Sequence, residues 1–250
     1  MWMIGKLRQA FRENGISGLL SRSLGFLYRR LVRPLSPARR PLRWGGVPIC
    51  HLRKWTDLLV PDSWHTERLD DPIYEAGLVG GLNAQVRPGD RVVVVGGGVG
   101  VTAVTAALCA GPSGRIECYE GSAENCGHVR ATAALNGVAL GIHHAVVGEP
   151  IAVYHDPAGF GAPVAPAALP PCDVLCLDCE GAEVTILREL PFRPRVLLVE
   201  THGVYKAPSV LVAAMMRERG YAVTDLGWAE PRFAESCRRD DIRVLLGTAA

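Results

Sequence analysis

The stretch RVVVVGGGVG (91–100) constrains this chain more than any other ten residues. Four consecutive valines lack the polar alternation of a strand with one wet face, so the strand they predict is buried on both sides. A glycine cluster then ends it within one residue. Glycine is needed where the backbone takes a positive φ or must come close to a ligand. The chain is therefore expected to turn sharply and re-enter as a helix from about Val99 to Ala110. A strand buried on both faces and followed by a crossover helix is the unit of a parallel sheet.

The alternation continues downstream. Helix DPIYEAGLVGGLNAQV (71–86) precedes the valine strand. Strand RIECYE (115–120) follows it, then a helix that Ser122 can cap and that runs to about Asn136. Strands IHHAVVG (142–148), CDVLCLD (172–178) and RVLLVET (195–201) come next, with helices near 181–190 and 207–219. The last two strands, YAVTDL (221–226) and DIRVLLG (241–247), are spaced to pair as an antiparallel hairpin. The expected fold is α/β and Rossmann-like, a mostly parallel seven-stranded sheet with a C-terminal antiparallel hairpin, over residues 70–250. The Ala/Pro/Gly-rich stretch 156–171 reads as irregular. In such a sheet ligands bind beyond the carboxyl ends of the strands, where the strand order reverses.

Charge is distributed unevenly. The formal net charge is +2, yet the first 54 residues hold twelve Lys/Arg against the single acid Glu13. Within residues 3–33, Ile4, Leu7, Phe11 and then Leu19, Leu20, Leu24, Leu27 and Leu31 recur at helical spacing between arginines. The Pro- and Arg-rich run RPLSPARRPLRWGG (33–46) excludes regular helix or a central strand. Residues 1–60 are thus a basic helical extension with a linker, and residues 1–46 are expected to touch an anionic membrane surface. The alternative is that their apolar face docks on the main domain with the arginines solvated. No nucleic-acid module is recognisable, so no nucleic-acid partner is expected.

No stretch approaches the roughly 20 uncharged apolar residues of a membrane span, and a secretory leader pattern is missing. A cytoplasmic protein is expected, with a peripheral place at the inner membrane surface as the option that the basic arm leaves open. The eight cysteines include the run CDVLCLDC (172–179), but residues of a strand alternate faces, so its three thiols cannot converge on one ion. Buried free thiols are expected. No metal-ligand set is assigned: the acids near residue 180 lack a second histidine or a firm spacing.

Gly96, Gly97, Gly98 and Gly100 form a GxGxG turn, whereas the residue three after Gly98 is Val101, which departs from the GxGxxG of dinucleotide sites. Glu120 ends the second strand twenty residues beyond Gly100, followed by Gly121. An acid so placed can accept hydrogen bonds from ribose hydroxyls. Further on, VLCLDCEGAEVTILREL (174–190) puts Asp178, Glu180 and Glu183 at a strand's cleft end, and VLLVETHG (196–203) adds Glu200 and His202 beside them.

This set of motifs resembles the FkbM-type methyltransferases, which use S-adenosylmethionine. The matching elements are the glycine turn, Glu120, TAALN (132–136), D-C-E-G-A-E (178–183) and E-T-H (200–202), over roughly residues 72–247. The resemblance implies an S-adenosylmethionine-dependent enzyme that methylates a hydroxyl or carboxyl of a saccharide, glycolipid or other small natural product. It implies cofactor contacts from Gly96, Gly97, Gly98, Gly100, Glu120, Gly121 and Asp178. One departure is Val94, where the family carries an acid; Glu75 in the preceding helix is the candidate substitute.

His202 is the first candidate for a general base, with Asp178 and Glu180 orienting the acceptor or the imidazole. Glu183 would either join them or face solvent in the first turn of its helix. Two other classes stay open. One is a non-catalytic nucleotide-binding scaffold, favoured by Val94 and the basic arm. The other is an NAD(P)-dependent oxidoreductase, disfavoured by the glycine spacing and by DCEGAE.

Overall fold

The computed structural model describes residues 41–50, 70–148 and 160–249, which belong to one compact unit. The amphipathic helices expected within 3–33, and nearly all of the segment expected at a membrane surface, lie outside the described residues. No described helix is long and apolar enough to cross a membrane.

The unit is built on an eight-stranded sheet. Its strands are β4 (Arg91–Val95), β5 (Arg115–Glu120), β6 (Gly141–Val147), β7 (Ala162–Val164), β8 (Val174–Leu177), β9 (Val196–Glu200), β10 (Tyr221–Trp228) and β11 (Arg243–Ala249). They lie in the order β10-β11-β9-β8-β4-β5-β6-β7. The strands from β9 through β7 in that order pair in parallel, while β11 runs antiparallel to both β9 and β10. From β4 the chain steps one way to β5, β6 and β7, then returns to lay β8 against β4's other side. This is the Rossmann-like order expected, with the reversal between β4 and β5 on one side and β8 on the other. Expectation and structure differ by one strand: β7, three residues including Pro163, was read as irregular. Proline donates nothing to a ladder, and β7 sits at the sheet's edge where that is tolerated.

The valine strand is buried on both faces. Val92 and Val94 pack with Leu78 and Leu82 of α1 (Ala76–Gln85) and Ala103, Ala106 and Ala110 of α2 (Val101–Ala110). Val93 and Val95 face the opposite layer, with Ile186 of α4 (Glu183–Glu189) and Val212 and Met216 of α5 (Ser209–Glu218). Burying one such Val or Leu contributes about 1.5–3 kcal/mol, so the central strands hold the cleft's frame rigidly. Cys176 falls in the first layer, Cys172 and Cys179 against the second, and all eight thiols are free. Cys172 and Cys179 lie outside β8, so it is the layer each one reaches, and not strand alternation, that separates Cys176 from the other two.

Helix α3 (Ala123–Leu135) starts as expected, with the Ser122 hydroxyl accepting the Asn125 N–H at 3.3 Å. A last helix, α6 (Ala234–Asp240), interrupts the β10–β11 connection. The basic linker also departs from expectation. Its last residues form β1 (Leu42–Trp44), the middle strand of a small sheet between β2 (Val47–Ile49) and β3 (Asp70–Asp71). Pro41 stands just before that strand, so Leu42, Arg43 and Trp44 keep their N–H donors. Leu42, Val47 and Ile49 pack on Val79, Val101 and Ala133, so this hairpin closes over α1, α2 and α3.

Candidate active site

The pairing register aligns Val95 with Tyr119 on one side and Leu177 on the other. The next residues, Gly96, Glu120 and Asp178, therefore meet at the carboxyl end of the sheet's centre. They line an open cleft with Gly98, Gly121, Asn125, Val146, Phe160 and Glu180. Its position is the one expected from strand order.

Two glycines of the turn have different physical reasons. Gly96 adopts φ +94, and a Cβ on it would lie 1.7 Å from the Asp178 carbonyl oxygen. Its glycine character lets β4 and β8 stay joined at their ends, where the Asp178 N–H donates to the Val95 carbonyl at 2.9 Å. Gly98 adopts φ +49, and its missing Cβ would meet no protein atom within 4 Å. Its open side faces the cleft, where it leaves the backbone accessible to a ligand.

Glu120 does more than end a strand. One carboxylate oxygen accepts the Gly97 and Gly98 N–H groups at 2.8 and 2.9 Å, and the other accepts the Ser122 N–H at 2.7 Å. The Asn125 side-chain amide stands 3.5 Å from that second oxygen. A carboxylate offers about four acceptor sites, and three are committed to backbone. Ribose hydroxyls would use the remaining one or take the place of Asn125. Glu120→Gln replaces an acceptor oxygen with a donor amide and leaves at least one buried N–H unpaired. A loss of about 1–3 kcal/mol in thermal or urea unfolding is expected, together with weaker nucleoside binding. Unchanged stability would contradict the bracing role.

Opposite the glycine turn is a polar cluster. After β8 the chain passes through Glu180 at φ 52 and Gly181 at φ 108, two residues in conformations that L side chains rarely adopt. That turn swings Glu183 inward, where it is fully buried. Its carboxylate accepts the Gly181 N–H at 2.7 Å and the Cys179 N–H at 3.3 Å, and its Oε1 meets His202 Nδ1 at 2.8 Å. Of the two alternatives for Glu183, the solvent-facing one is therefore excluded. His202 is pinned by a reciprocal backbone pair with Ala207, at 3.0 and 3.1 Å. Its Nε2 points to Asp178 Oδ1 and Glu200 Oε1, each at 3.6 Å. Asp178 keeps 26% of its side chain exposed toward the cleft, while Glu200 is buried.

Electrostatics follow from that crowding. Burial pushes the Asp178 carboxyl up to about 6; His202 pulls it down, and Glu183 and Glu180 add to the rise. Burial, then Asp178 and Glu75, push Glu200 well above the carboxylate range. Burial alone would lower His202, but its hydrogen bond to Glu183 and the charge of Asp178 outweigh that and raise it.

Glu75 lies just outside α1, not within it, in a left-handed conformation at φ 47. Its N–H donates to Glu230 Oε1 at 3.0 Å, and its Oε2 is buried without a hydrogen-bond partner. It does not line the cleft, but it is near enough to the cluster that Asp178 raises its cost of ionisation and that it raises the cost for Glu200. Burial, then Asp178, push Glu75 up from 4.5 to about 8, with Tyr74 acting the other way. The native state thus keeps a proton that the unfolded chain releases above 4.5. Its stabilising contribution is complete below that pH and is lost as pH rises through about 8. With divalent ions removed, wild-type stability is expected to fall between pH 5 and 9. Glu75→Gln mimics the protonated form, so it should flatten this slope and add roughly 2 kcal/mol at pH 9. Parallel slopes in wild type and variant would contradict the assignment.

The structure brings together Gly96, Gly98, Glu120, Gly121, Asp178 and Glu180 around the cleft, with His202 behind Asp178. Gly97 and Gly100 stand behind the turn instead. A Cβ at Gly97 would meet Cys118 and Val129, and one at Gly100 would meet Val129 and Thr132. Of the other histidines, His143 pairs with Glu117 at 2.7 Å and His144 meets the Gly121 carbonyl at 3.1 Å. His51, His65 and His155 lie outside the described residues. Glu200, at the end of β9 two residues before His202, is legible in the sequence as a neighbour of that imidazole, whereas Glu230, in the loop after β10, carries no such signal.

No family model matches the chain, and no curated relative matches it either. Solved structures do align. Precorrin-6y C5,15-methyltransferase from Geobacter metallireducens is 13% identical, over 71% of this chain and 89% of that one, with a TM-score of 0.49. Fibrillarin from Aeropyrum pernix, solved with natively bound S-adenosyl-L-methionine, is 16% identical over 66% and 68%, with a TM-score of 0.42. The tRNA (uracil-54, C5)-methyltransferase of Pyrococcus abyssi, in complex with S-adenosyl-L-homocysteine, is 9% identical over 72% and 39%, with a TM-score of 0.44. At these identities the fold assignment rests on strand order and register, not on the alignments.

Proposed function

We propose that the chain is an S-adenosylmethionine-dependent methyltransferase acting on an oxygen, the hydroxyl or carboxyl of a saccharide, glycolipid or other small natural product. The observation that carries this reading is the convergence of Gly98, Glu120 and Asp178 on one cleft at the strand-order reversal. The open side of Gly98 and the Glu120–Asn125 edge suit a nucleoside. The acidic side, where Asp178 lines the cleft, suits a cofactor whose amino-acid end carries an ammonium group next to a positive sulfonium. When bound, S-adenosylmethionine supplies a methyl carbon whose bond to sulfur breaks with the electron pair going to sulfur.

The chain's own residues have three tasks. The glycine turn, braced by Glu120, fixes the nucleoside, and alignment of this kind is where much of the rate enhancement arises. The cluster of Asp178, Glu200 and His202 receives the acceptor oxygen and removes the hydroxyl proton as the oxygen attacks. Glu183 holds the imidazole in one orientation, with Nδ1 turned away from the cleft. Glu180, at the cleft wall, orients the acceptor. Incubation of the full chain with methyl-labelled cofactor and extracted glycans, glycolipids and small hydroxylated metabolites tests this. A labelled, base-stable ether or base-labile ester is expected. Cofactor binding with no labelled product from any pool would favour the scaffold reading instead.

A further inference from the structure

The cluster behind the cleft has an arrangement that proton chemistry alone leaves unexplained. Glu183 is fully buried and accepts two backbone N–H groups, so it acts as a fixed acceptor toward His202 Nδ1. The proton of a neutral imidazole therefore sits on Nδ1, and the lone pair of Nε2 faces the carboxylates of Asp178 and Glu200. Neither carboxylate hydrogen-bonds to it: both separations are 3.6 Å, beyond the 2.7–3.2 Å of an N–H···O bond. Glu200 is only 8% exposed and makes no hydrogen bond through its side chain, and its Oε1 is aimed at the same point. No described Lys or Arg pairs with Asp178, Glu183 or Glu200; the imidazole is the only basic group they meet.

The three donor atoms lie within 4.8 Å of one another. Two ligands on one tetrahedral ion, each at about 2.0–2.2 Å, stand about 3.4 Å apart, close to the two 3.6 Å separations at Nε2. A buried carboxylate that orients a histidine's far nitrogen is also the usual support of a metal-bound imidazole.

We propose that Asp178, Glu200 and His202 bind one divalent cation of the Mn²⁺ or Zn²⁺ type, with Glu183 as the positioning residue for His202. One imidazole and two carboxylates form a borderline-to-hard donor set, which suits those ions better than a thiophilic one. Three protein ligands leave coordination positions open, and Asp178 puts them on the cleft side. The ion's role in methyl transfer rests on the function proposed above, but its binding does not: with Nε2 committed to the ion His202 would take no proton, and the ion would instead acidify an acceptor hydroxyl at an open coordination position.

The test is a titration of chelator-treated full-length protein with Mn²⁺, followed by loss of the free-ion electron paramagnetic resonance signal, with Zn²⁺ as competitor. One Mn²⁺ per chain, displaced by Zn²⁺, is expected. Glu200→Gln should weaken binding by about tenfold or more, and exposed Glu124→Gln should leave it unchanged. If wild type, folded by circular dichroism, binds neither ion saturably, the site does not exist. Binding that survives both Glu200→Gln and His202→Ala places the ion elsewhere and likewise overturns the proposal. The wild-type titration decides even if a variant fails to fold. Calorimetry with S-adenosylmethionine on the same sample separates the two claims, since either ligand can bind without the other.

Discussion

Gly96→Ala is expected to destabilise the protein by about 3–5 kcal/mol, lowering its melting temperature by roughly 10 °C. The cause is backbone against backbone. An alanine Cβ would stand 1.7 Å from the Asp178 carbonyl oxygen and 2.8 Å from its carbon, with no flexible side chain to move aside. Relief requires separating the ends of β4 and β8, which are tied by the Asp178 N–H to Val95 carbonyl bond and flanked by the Gly96 N–H to Tyr119 carbonyl bond. The φ of +94 adds strain for any L residue. Gly98→Ala is the contrast. Its Cβ meets nothing within 4 Å and φ +49 lies in the left-handed region, so a cost near 1 kcal/mol is expected. The new methyl would instead stand in the cleft. Equal melting temperatures for the two variants would mean that the turn is not packed against β8 as described.

His202→Ala is expected to lower the rate of methyl transfer by about 10²–10⁴-fold while leaving cofactor affinity within a few-fold of wild type. His202 contacts the cluster and not the glycine turn: Nδ1 is held by Glu183 at 2.8 Å and Nε2 faces Asp178 and Glu200. Removing it leaves the buried Glu183 carboxylate without its imidazole and the two cluster acids without the only basic neighbour they have among the described residues. Stability is therefore expected to fall as well, and rates are to be compared on protein verified as folded. A variant that methylates its acceptor at the wild-type rate would remove His202 from the mechanism. A variant that loses cofactor binding in proportion to rate would assign the residue to the cofactor instead.

Much of this architecture is legible in the residues because the central strands have little choice. RVVVV, VLCL and VLLVE are apolar on both faces, and a strand so composed is stable only inside a covered parallel sheet. Their ends then fix where Gly96, Asp178 and Glu200 fall. Strand β7 escaped because three residues containing a proline carry no periodicity, and only the neighbouring β6 defines it. Helix α6, AESCRRD, buries Cys237 alone, so it has no apolar stripe to read. The middle strand β1 was hidden inside a run whose prolines and arginines pointed to an extended linker.

The site was legible at the level of which residues converge, but not in their roles. Glu120 reads as a ribose acceptor from its place at a strand end, yet whether its oxygens are free or already bonded to Gly97 and Gly98 depends on the turn's shape. Glu183 reads equally well as a solvated first-turn acid. Its burial follows from the left-handed pair Glu180–Gly181, a backbone event that only the glycine hints at. Glu75, the candidate substitute for the acid that the resemblance would put at Val94, takes a left-handed conformation that breaks the helix expected from the surrounding pattern. Such non-glycine residues at positive φ are concentrated where function tolerates strain.

Calorimetric titration of S-adenosylmethionine into the full-length protein, with Gly98→Ala and Glu120→Gln beside the wild type, tests the central claim most directly. One molecule bound per wild-type chain is predicted, with affinity reduced by about 10–100-fold when a methyl occupies the open side of Gly98. Absence of binding to folded wild type, or binding that neither substitution alters, would contradict a cofactor seated on the glycine turn.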